Sequence, residues 1–409
     1  MTHHKTDSLS PVDNQPRQGR VEKIVNGGWG LVRGDLGVVF LNYVLPGEDV
    51  VYRIRERAKG VLWGQLLEVV NPSKHRVLPP CPYFGECGGC VFQHIDYPFQ
   101  ETIKREILQN DLERIGHYTA PLPPLFLGPA YNNRVRARMK GVDDGRIGFI
   151  RKGTNTVLPI DHCLLFPDAV NRFLAQWNNI KEPPFIFQMD IFFNPDNQKV
   201  YIYLSHPPDE RVWKVLQSFP DIIFSWKGNE AVGISPIRIK GHIYYVSPDV
   251  FFQVNPHQWE NMLDTVSGYL EESQVMIDLY CGVGFFIPVL MQRAQQVIGV
   301  ESYGFSVALA QRAFPGARFY KLPAEKFHFP PAASIVIDPP RSGLAKVVLN
   351  RILFAKYERI IYISCASAAF SRDLKLLVEN GYQLADLQVF DLFPQTSHLE
   401  TMALFTRGK

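Results

Sequence analysis

Between residues 19 and 70 apolar and polar positions alternate in short runs punctuated by glycine, from GRVEKIVNGG through WGLVRGDLGVVFLNYVLPGEDVVYRIRERAKGVLWGQLLEVV. A period of two broken repeatedly by turn residues predicts several short strands and a small β-barrel. Helical spacing follows over 97 to 116 in YPFQETIKREILQNDLERIG, and FIFQMDIFFNP and KVYIYLSH read as strands. After about residue 255 strand-like and helical segments take turns through MIDLYCGVGFF, QQVIGVES, ASIVIDPPRSG, RIIYISCAS and HLETMALFTR. That order predicts a doubly wound α/β sheet with its ligand site at the carboxyl ends of the strands. Four segments are expected: a polar, disordered tail over 1–16, a barrel over 17–75, a mixed α/β region over 76–250 and the α/β domain over 251–409.

Composition adds scale and compartment. A chain of 409 residues, 46% hydrophobic and 20% charged, can bury more than one core. The opening MTHHKTDSLSPVDNQPRQ has no apolar run, and the longest apolar stretch, 276 to 291, is interrupted by Asp278, Gly282 and Gly284. No signal peptide and no membrane span are expected, and the cytoplasm is the expected location. Only six cysteines occur, so reduced thiols or metal ligands are expected and a disulfide framework is not. Net charge is +3, yet Arg17, Arg20, Lys23, Arg33, Arg53, Arg55, Arg57 and Lys59 crowd the first sixty residues. Basic charge so placed points to a polyanionic partner. Arg134, Arg136 and Arg138 in YNNRVRARMK alternate as strand neighbours on one face and extend the expected contact with phosphates.

Candidate chemistry lies at the predicted strand ends. Gly282 and Gly284 follow the strand VMID and let a ligand approach bare backbone. The third glycine of a dinucleotide fingerprint is missing, which disfavours NAD. Glu301 closes the strand QVIGVE, where an acid accepts hydrogen bonds from ribose hydroxyls. Together these features suit S-adenosylmethionine. Asp338 ends another strand ahead of two stiffening prolines, Cys365 ends the next, and Glu400 offers a carboxylate near the end of the chain.

The stretch GGWGLVRGDLGVVFLNYVLPGEDV resembles the TRAM domain, an OB-like RNA-binding barrel. FFQVN at 251–255, DLYCGVG at 278–284, DPPRSG at 338–343, SC at 364–365 with SRDL at 371–374, and HLETMAL at 398–404 occur in the order of the iron-sulfur RNA uracil-5 methyltransferases. The resemblance covers nearly everything after residue 17 and is closest to the enzymes that make 5-methyluridine in 23S ribosomal RNA. It implies a TRAM barrel, a cluster-binding central region and a Rossmann-like methyltransferase domain acting as a monomer. It further implies that Gln253, Tyr280, Glu301 and Asp338 line the cofactor and uracil pocket, that Cys365 is the nucleophile and that Glu400 is the base. The sequence departs from the family pattern at Ala366 and Ser367, where Asn-Pro is usual, at Phe285 in the glycine loop, and at Pro323.

CPYFGECGGC holds Cys81, Cys87 and Cys90, and DHCLLFP supplies Cys163 where the family has a fourth ligand. Four thiolates bind either zinc or an iron-sulfur cluster, and their spacing does not choose between them. The resemblance favours a 4Fe-4S cluster with a structural role. A tRNA enzyme acting in the T loop shares the same motifs, and a catalytically silent RNA-binding iron-sulfur protein is the rival reading outside catalysis.

Overall fold

The computed structural model describes residues 15–58 and 60–407. Residues 1–14, most of the expected tail, lie outside the described residues, as does Lys59. The chain divides into two compact units, one of residues 1–107 with 395–397 and one of residues 108–394 with 398–409.

In the first unit the alternating runs form β1 (Arg17–Val25), β2 (Trp29–Gly34), β3 (Gly37–Leu41), β4 (Asp49–Ala58) and β5 (Val61–Asn71). They close into a barrel in the order β1-β2-β3-β5-β4. Every pairing is antiparallel except β3 with β5. Inward positions at every second residue, Val39 and Leu41 on β3, Val50, Tyr52 and Ile54 on β4, make the barrel core. Glu48 is wholly buried and accepts hydrogen bonds from the Leu45 and Ser73 N–H groups and from Arg76, which holds its carboxyl below the usual range against the cost of burial. A second small core of Ile24, Leu45, Phe92, Ile95, Ile103 and Ile107 packs the segment after the barrel against it.

The helical period over 97–116 becomes α1 (Tyr97–Asp111), continued by one π-helical turn, Leu112–Gly116, which His117 ends with φ 54°. The second unit begins within α1 at Leu108. It carries β6 (Leu125–Phe126), β7 (Arg136–Gly141), β8 (Ile147–Ile150), β9 (Val157–Pro159), α2 (Asp168–Asn178), β10 (Gln188–Asn194), β11 (Lys199–Leu204), α3 (Glu210–Leu216), β12 (Ile222–Trp226), and the hairpin β13 (Ser235–Ile239) with β14 (His242–Val246). Strands β7 to β12 form a six-stranded sheet in the order β12-β11-β10-β7-β8-β9.

Next come α4 (Trp259–Tyr269), β15 (Ser273–Leu279), α5 (Ile287–Met291), β16 (Ala294–Glu301), α6 (Gly304–Ala313), β17 (Arg318–Lys321), β18 (Ser334–Ile337), α7 (Lys346–Ala355), β19 (Arg359–Ser364), α8 (Ser367–Glu379), β20 (Tyr382–Phe390) and β21 (Glu400–Arg407). An eight-stranded sheet results, in the order β17-β16-β15-β18-β19-β21-β20-β6. Its first five strands are parallel, while β21 runs antiparallel to β19 and β20. The parallel strands read as continuous apolar runs because both faces are covered, as in SIVI and RIIYIS. Among the described residues no helix is long and apolar enough to cross a membrane.

Candidate active site

The register of the eight-stranded sheet sets the site. Leu279 pairs with Val300 on one side and with Ile337 on the other, so the next residues, Tyr280, Glu301 and Asp338, leave three neighbouring strands at one level. Two strands along, Ser364 of β19 pairs with Thr401 of β21. One residue beyond that pair come Cys365, in the bend that follows β19, and Glu400, the first residue of β21, close enough for the carboxylate to act on the thiol. The sequence motifs thus converge on one edge although they are far apart in the chain.

Around β15 the backbone turns sharply, with positive φ at Tyr280 (67°), Gly282 (53°) and Gly284 (86°). A left-handed tyrosine is unusual and is held by the bond from its N–H to the Val300 carbonyl, 2.9 Å. Glu301 is already engaged: Gly282 N–H donates to its Oε2 at 3.2 Å, and the Ser302 hydroxyl and the Tyr303 N–H donate to its Oε1 at 3.0 and 2.7 Å. Gln253 is buried and donates from Nε2 to Asp338 Oδ2 at 3.2 Å. A pocket lies between, lined by Phe251, Gln253, Asp278, Tyr280, Gly282 and Asp338 among others. Phe285, at the departure from the family pattern, is buried against Tyr244 and Phe252, so a hydrophobic cluster fills the place of a polar side chain.

Carboxylates crowd this edge. Asp278 is 1% exposed, and among the described residues neither of its oxygens has a hydrogen-bond partner. Burial, then Asp338 and Glu301, push its pKa well above the usual range. Burial also lifts Asp338 to about 7, against the pull of the Gln253 amide. Glu400, 4% exposed, is raised by burial and by Asp338, with Arg341 opposing. The Cys365 thiol is pushed to about 11 by burial and next by Glu400, while the nearby positive charge of Arg341 acts the other way. Orphaned carboxylate oxygens in an aromatic pocket suit a ligand that brings positive charge and N–H donors.

Three residues here went unassigned at the level of sequence: Asp278, Arg341 and Asp373. All lie inside motifs already singled out, DLYCGVG, DPPRSG and SRDL, but only proximity in the fold reveals their parts. The departure at Ala366 and Ser367 falls at the start of α8, where Ser367 Oγ donates to Asp111 Oδ2 at 2.5 Å. Pro323 precedes a short 3-10 turn, Ala324–Lys326.

The expected arginine stripe is built differently. Arg136 and Arg138 do share a face of β7, since Ala137 and Met139 between and beyond them are buried. Arg138 is paired with Asp190 at 2.7 Å, Arg136 donates to the Pro248 carbonyl at 2.7 Å, and Arg134 donates to the Arg136 carbonyl at 2.8 Å. Each arginine thus has at least one donor engaged within the protein, and the Arg138 side chain remains largely exposed.

In the first unit Cys81, Cys87 and Cys90 occupy one loop of successive turns. All six cysteines are thiols outside disulfides. Gly89 N–H donates to Cys87 Sγ at 3.4 Å, a bond suited to a thiolate. Burial first, then Cys87 and Cys90, raise the Tyr43 phenol to about 12. In the second unit Asn171 of α2 clamps the backbone of Cys163, accepting from its N–H at 2.8 Å and donating to its carbonyl at 3.1 Å. Among the described residues no group of three or more His, Cys, Asp or Glu side chains gathers as a metal would require. The donor chemistry of the four cysteines fits a thiolate-bound metal.

Sheet order and the row of polar groups at its carboxyl edge define a Rossmann-like methyltransferase domain. Residues 318–408 match the tRNA (Uracil-5-)-methyltransferase family. The chain is 30% identical to an uncharacterized RNA methyltransferase of Aquifex aeolicus, over 96% of this chain and 98% of that one. It is 31% identical to the 23S rRNA (uracil(1939)-C(5))-methyltransferase RlmD of Acidithiobacillus ferrooxidans, over 97% and 99%. The tRNA (uracil-54, C5)-methyltransferase of Pyrococcus abyssi, solved with S-adenosyl-L-homocysteine, shares the fold with a TM-score of 0.76 at 24% identity, over 95% of this chain and 99% of that one. The chain belongs to the RNA (uracil-5-)-methyltransferase family, and the enzyme is an RNA uracil-5 methyltransferase.

Proposed function

We propose that this enzyme methylates carbon 5 of a uridine in 23S ribosomal RNA through a covalent adduct with Cys365. The observation that carries the chemistry is the nearness of Cys365, just after β19, to Glu400 at the start of β21, beside Asp338 and Arg341. Likeness to RlmD along almost the whole chain supports the RNA class.

In this reading the Cys365 sulfur gives up its proton and adds to carbon 6 of the uracil, which turns carbon 5 into a nucleophile. Arg341, near the sulfur, favours the thiolate that burial disfavours. S-adenosylmethionine, when bound, supplies the methyl group and a positive charge beside the carboxylates. Gln253, Tyr280, Glu301 and Asp338 would hold it, and Asp278 with its orphaned oxygens faces the same pocket. After methylation Glu400 takes the proton from carbon 5, and the bond between carbon 6 and sulfur breaks to return Cys365. Asp338 hydrogen-bonds the uracil edge. The target base must be extruded from its stack, at a cost of a few kcal/mol.

The division of labour follows the segments 17–75, 76–250 and 251–409. The barrel acts as a TRAM domain: Trp29, Phe40 and Trp63 cluster on its outer face, half-exposed, with Arg53 and Arg55 nearby on β4. Aromatic groups flanked by guanidinium suit an unpaired base and its phosphates. Cys81, Cys87, Cys90 and Cys163 would hold a 4Fe-4S cluster, a reading that rests on their pattern and on the thiol chemistry of the loop. Its contribution would be structural, because transfer from a sulfonium moves no net electron. Action as a monomer in the cytoplasm completes the proposal.

A tRNA substrate is the second reading, favoured by the name of the matching family and by the Pyrococcus abyssi fold. Mapping 5-methyluridine in 23S ribosomal RNA and tRNA from cells lacking the gene separates the two. Loss of a methylated uridine from 23S RNA alone supports the proposal. Loss from the T loop alone transfers the enzyme to tRNA, and loss from neither overturns both.

A further inference from the structure

We propose that Asp373 is a positioning residue for the reactive thiol: buried on α8, it ties β19, whose last residue immediately precedes Cys365, to the loop that carries Arg341 near the sulfur. This inference rests on the assignment of Cys365 as nucleophile, and nothing in that assignment requires it.

Asp373 has no exposed surface. Its Oδ2 accepts the Tyr362 hydroxyl at 2.7 Å and the Leu344 N–H at 2.9 Å. Its Oδ1 accepts Arg372 Nε at 2.8 Å, and Arg372 Nη2 in turn donates to the Leu344 carbonyl at 3.3 Å. Both backbone groups of Leu344 are therefore fixed by one acid and its neighbour. Tyr362 lies three residues before Cys365 on β19, and α8 begins two residues after it.

The other end of the tie is a turn. Gly343 N–H donates to the Pro340 carbonyl at 2.8 Å, which places Arg341 at the first central position of a β-turn that ends at Gly343, immediately before Leu344. Gly343 has φ 75°, and a Cβ there would lie 2.8 Å from Asp373 Oδ2 and 2.6 Å from Arg372 Nη2. Glycine is needed for the backbone angle and for the close approach of the acid. A carboxylate accepting bonds from a strand, a loop and its own helix leaves the guanidinium of Arg341 little room to drift from Cys365. Small errors in such geometry cost rate without cost to binding.

The test compares wild type with Tyr362→Phe and Asp373→Asn in the full-length protein. Two quantities are read: the pH midpoint for alkylation of Cys365 by iodoacetamide, followed on the Cys365 peptide by mass spectrometry, and the rate of covalent adduct formation with substrate RNA. Both variants should keep the wild-type KM for RNA, raise the alkylation midpoint by about one pH unit and slow adduct formation about tenfold or more. If Asp373→Asn does not fold, Tyr362→Phe decides, since it removes one hydroxyl and leaves Asp373 two other donors. A folded variant with unchanged midpoint and adduct rate overturns the proposal, as does a loss confined to KM. Cys365→Ala serves as the control. Were it to keep activity, the nucleophile assignment itself would fall, a result distinct from failure of the Asp373 tie.

Discussion

At the carboxyl edge of the eight-stranded sheet, Glu301, Tyr280, Asp338 and Cys365 with Glu400 leave neighbouring strands in the order β16-β15-β18-β19-β21. Strand spacing of about 4.8 Å and the pairing register fix their separations before any side chain is considered. In the loop 81–90 three thiols hang on turns closed by short bonds such as Phe84 N–H to the Cys81 carbonyl and Cys87 N–H to the Tyr83 carbonyl. Such a loop sets where the chain goes but leaves each thiol its own rotamers. A site built on a ladder is therefore defined by the backbone, whereas a site built on turns is defined by what its side chains bind. Perturbing the first should abolish chemistry, and perturbing the second should alter stability.

The largest effect is expected at Cys365. Changing it to alanine should lower methylation by about 10⁴-fold or more, because no neighbouring group can form the bond to carbon 6. Incorporation of labelled methyl into RNA measures it, and binding of the RNA should persist. Glu400→Gln keeps the shape of the site and removes the proton acceptor, so methyl transfer should proceed and stall before elimination. A protein-RNA adduct that survives a denaturing gel is the expected product. Methylated RNA released at the wild-type rate would show that another group is the base.

Much of this edge could be read from residue order alone, because a strand, a turn and a charged or reactive residue recur in DLYCGVG, DPPRSG and IIYISC, and parallel sheets place such residues together. The pairing of β19 with β21 brings Cys365 and Glu400 near each other although 34 positions lie between them in the chain, and no local pattern carries that information. Asp373 and Arg341 escaped assignment for the same reason: Leu344 and Tyr362, which bond Asp373, and the Cys365 thiol, on which Arg341 acts, are supplied by other elements. The barrel was legible from its alternation, yet the unusual parallel pairing of β3 with β5 was not. Alternation also placed Arg136 and Arg138 on one face correctly. It could not reveal that Asp190 and the Pro248 carbonyl would occupy their donors.

The cysteine loop gives the next largest effect. Protein purified without oxygen should be brown and carry about four irons per chain. Cys87→Ser should lower iron content and bring the unfolding temperature down by about 10 °C or more, because a metal bound by the folded form alone adds its binding energy to stability. Activity should fall only with the folded fraction. One zinc in a colourless protein would replace the cluster assignment and leave the sheet edge untouched.

A smaller effect concerns pH. Burial holds Asp338 at about 7 in the folded chain, above its ordinary 3.8. Between those values the folded state binds a proton that the unfolded state has lost, so this residue makes stability fall as pH rises through that window. Asp338→Asn cannot titrate and should flatten the dependence of the unfolding free energy on pH between about 4 and 7. Denaturant melts across that range measure the slope, and a slope unchanged by the substitution would mean that the acid is not buried enough to hold its proton.

The mildest change is expected on the barrel, far in kind from both sites. Trp63 sits 4.5 Å from Trp29 and 5.4 Å from Phe40, ring centre to ring centre, while Arg53 and Arg55 donate from Nε to Gln65 Oε1 at 3.0 and 2.7 Å. Trp63 is only half-exposed, so trimming it to alanine removes a stacking surface and little of the barrel core. Loss of one stacked base is worth about 1–3 kcal/mol, which corresponds to RNA affinity weaker by roughly tenfold. Turnover at saturating RNA should stay at the wild-type level, since the substitution touches neither Cys365 nor Glu400. The slope of affinity against salt should also be unchanged because no charge is removed, whereas Arg53→Ala should reduce that slope by about 1. Titrations of RNA binding at several salt concentrations separate the two terms. Equal affinity for the Trp63 variant and wild type would remove the barrel face from the RNA contact and leave recognition to the second unit.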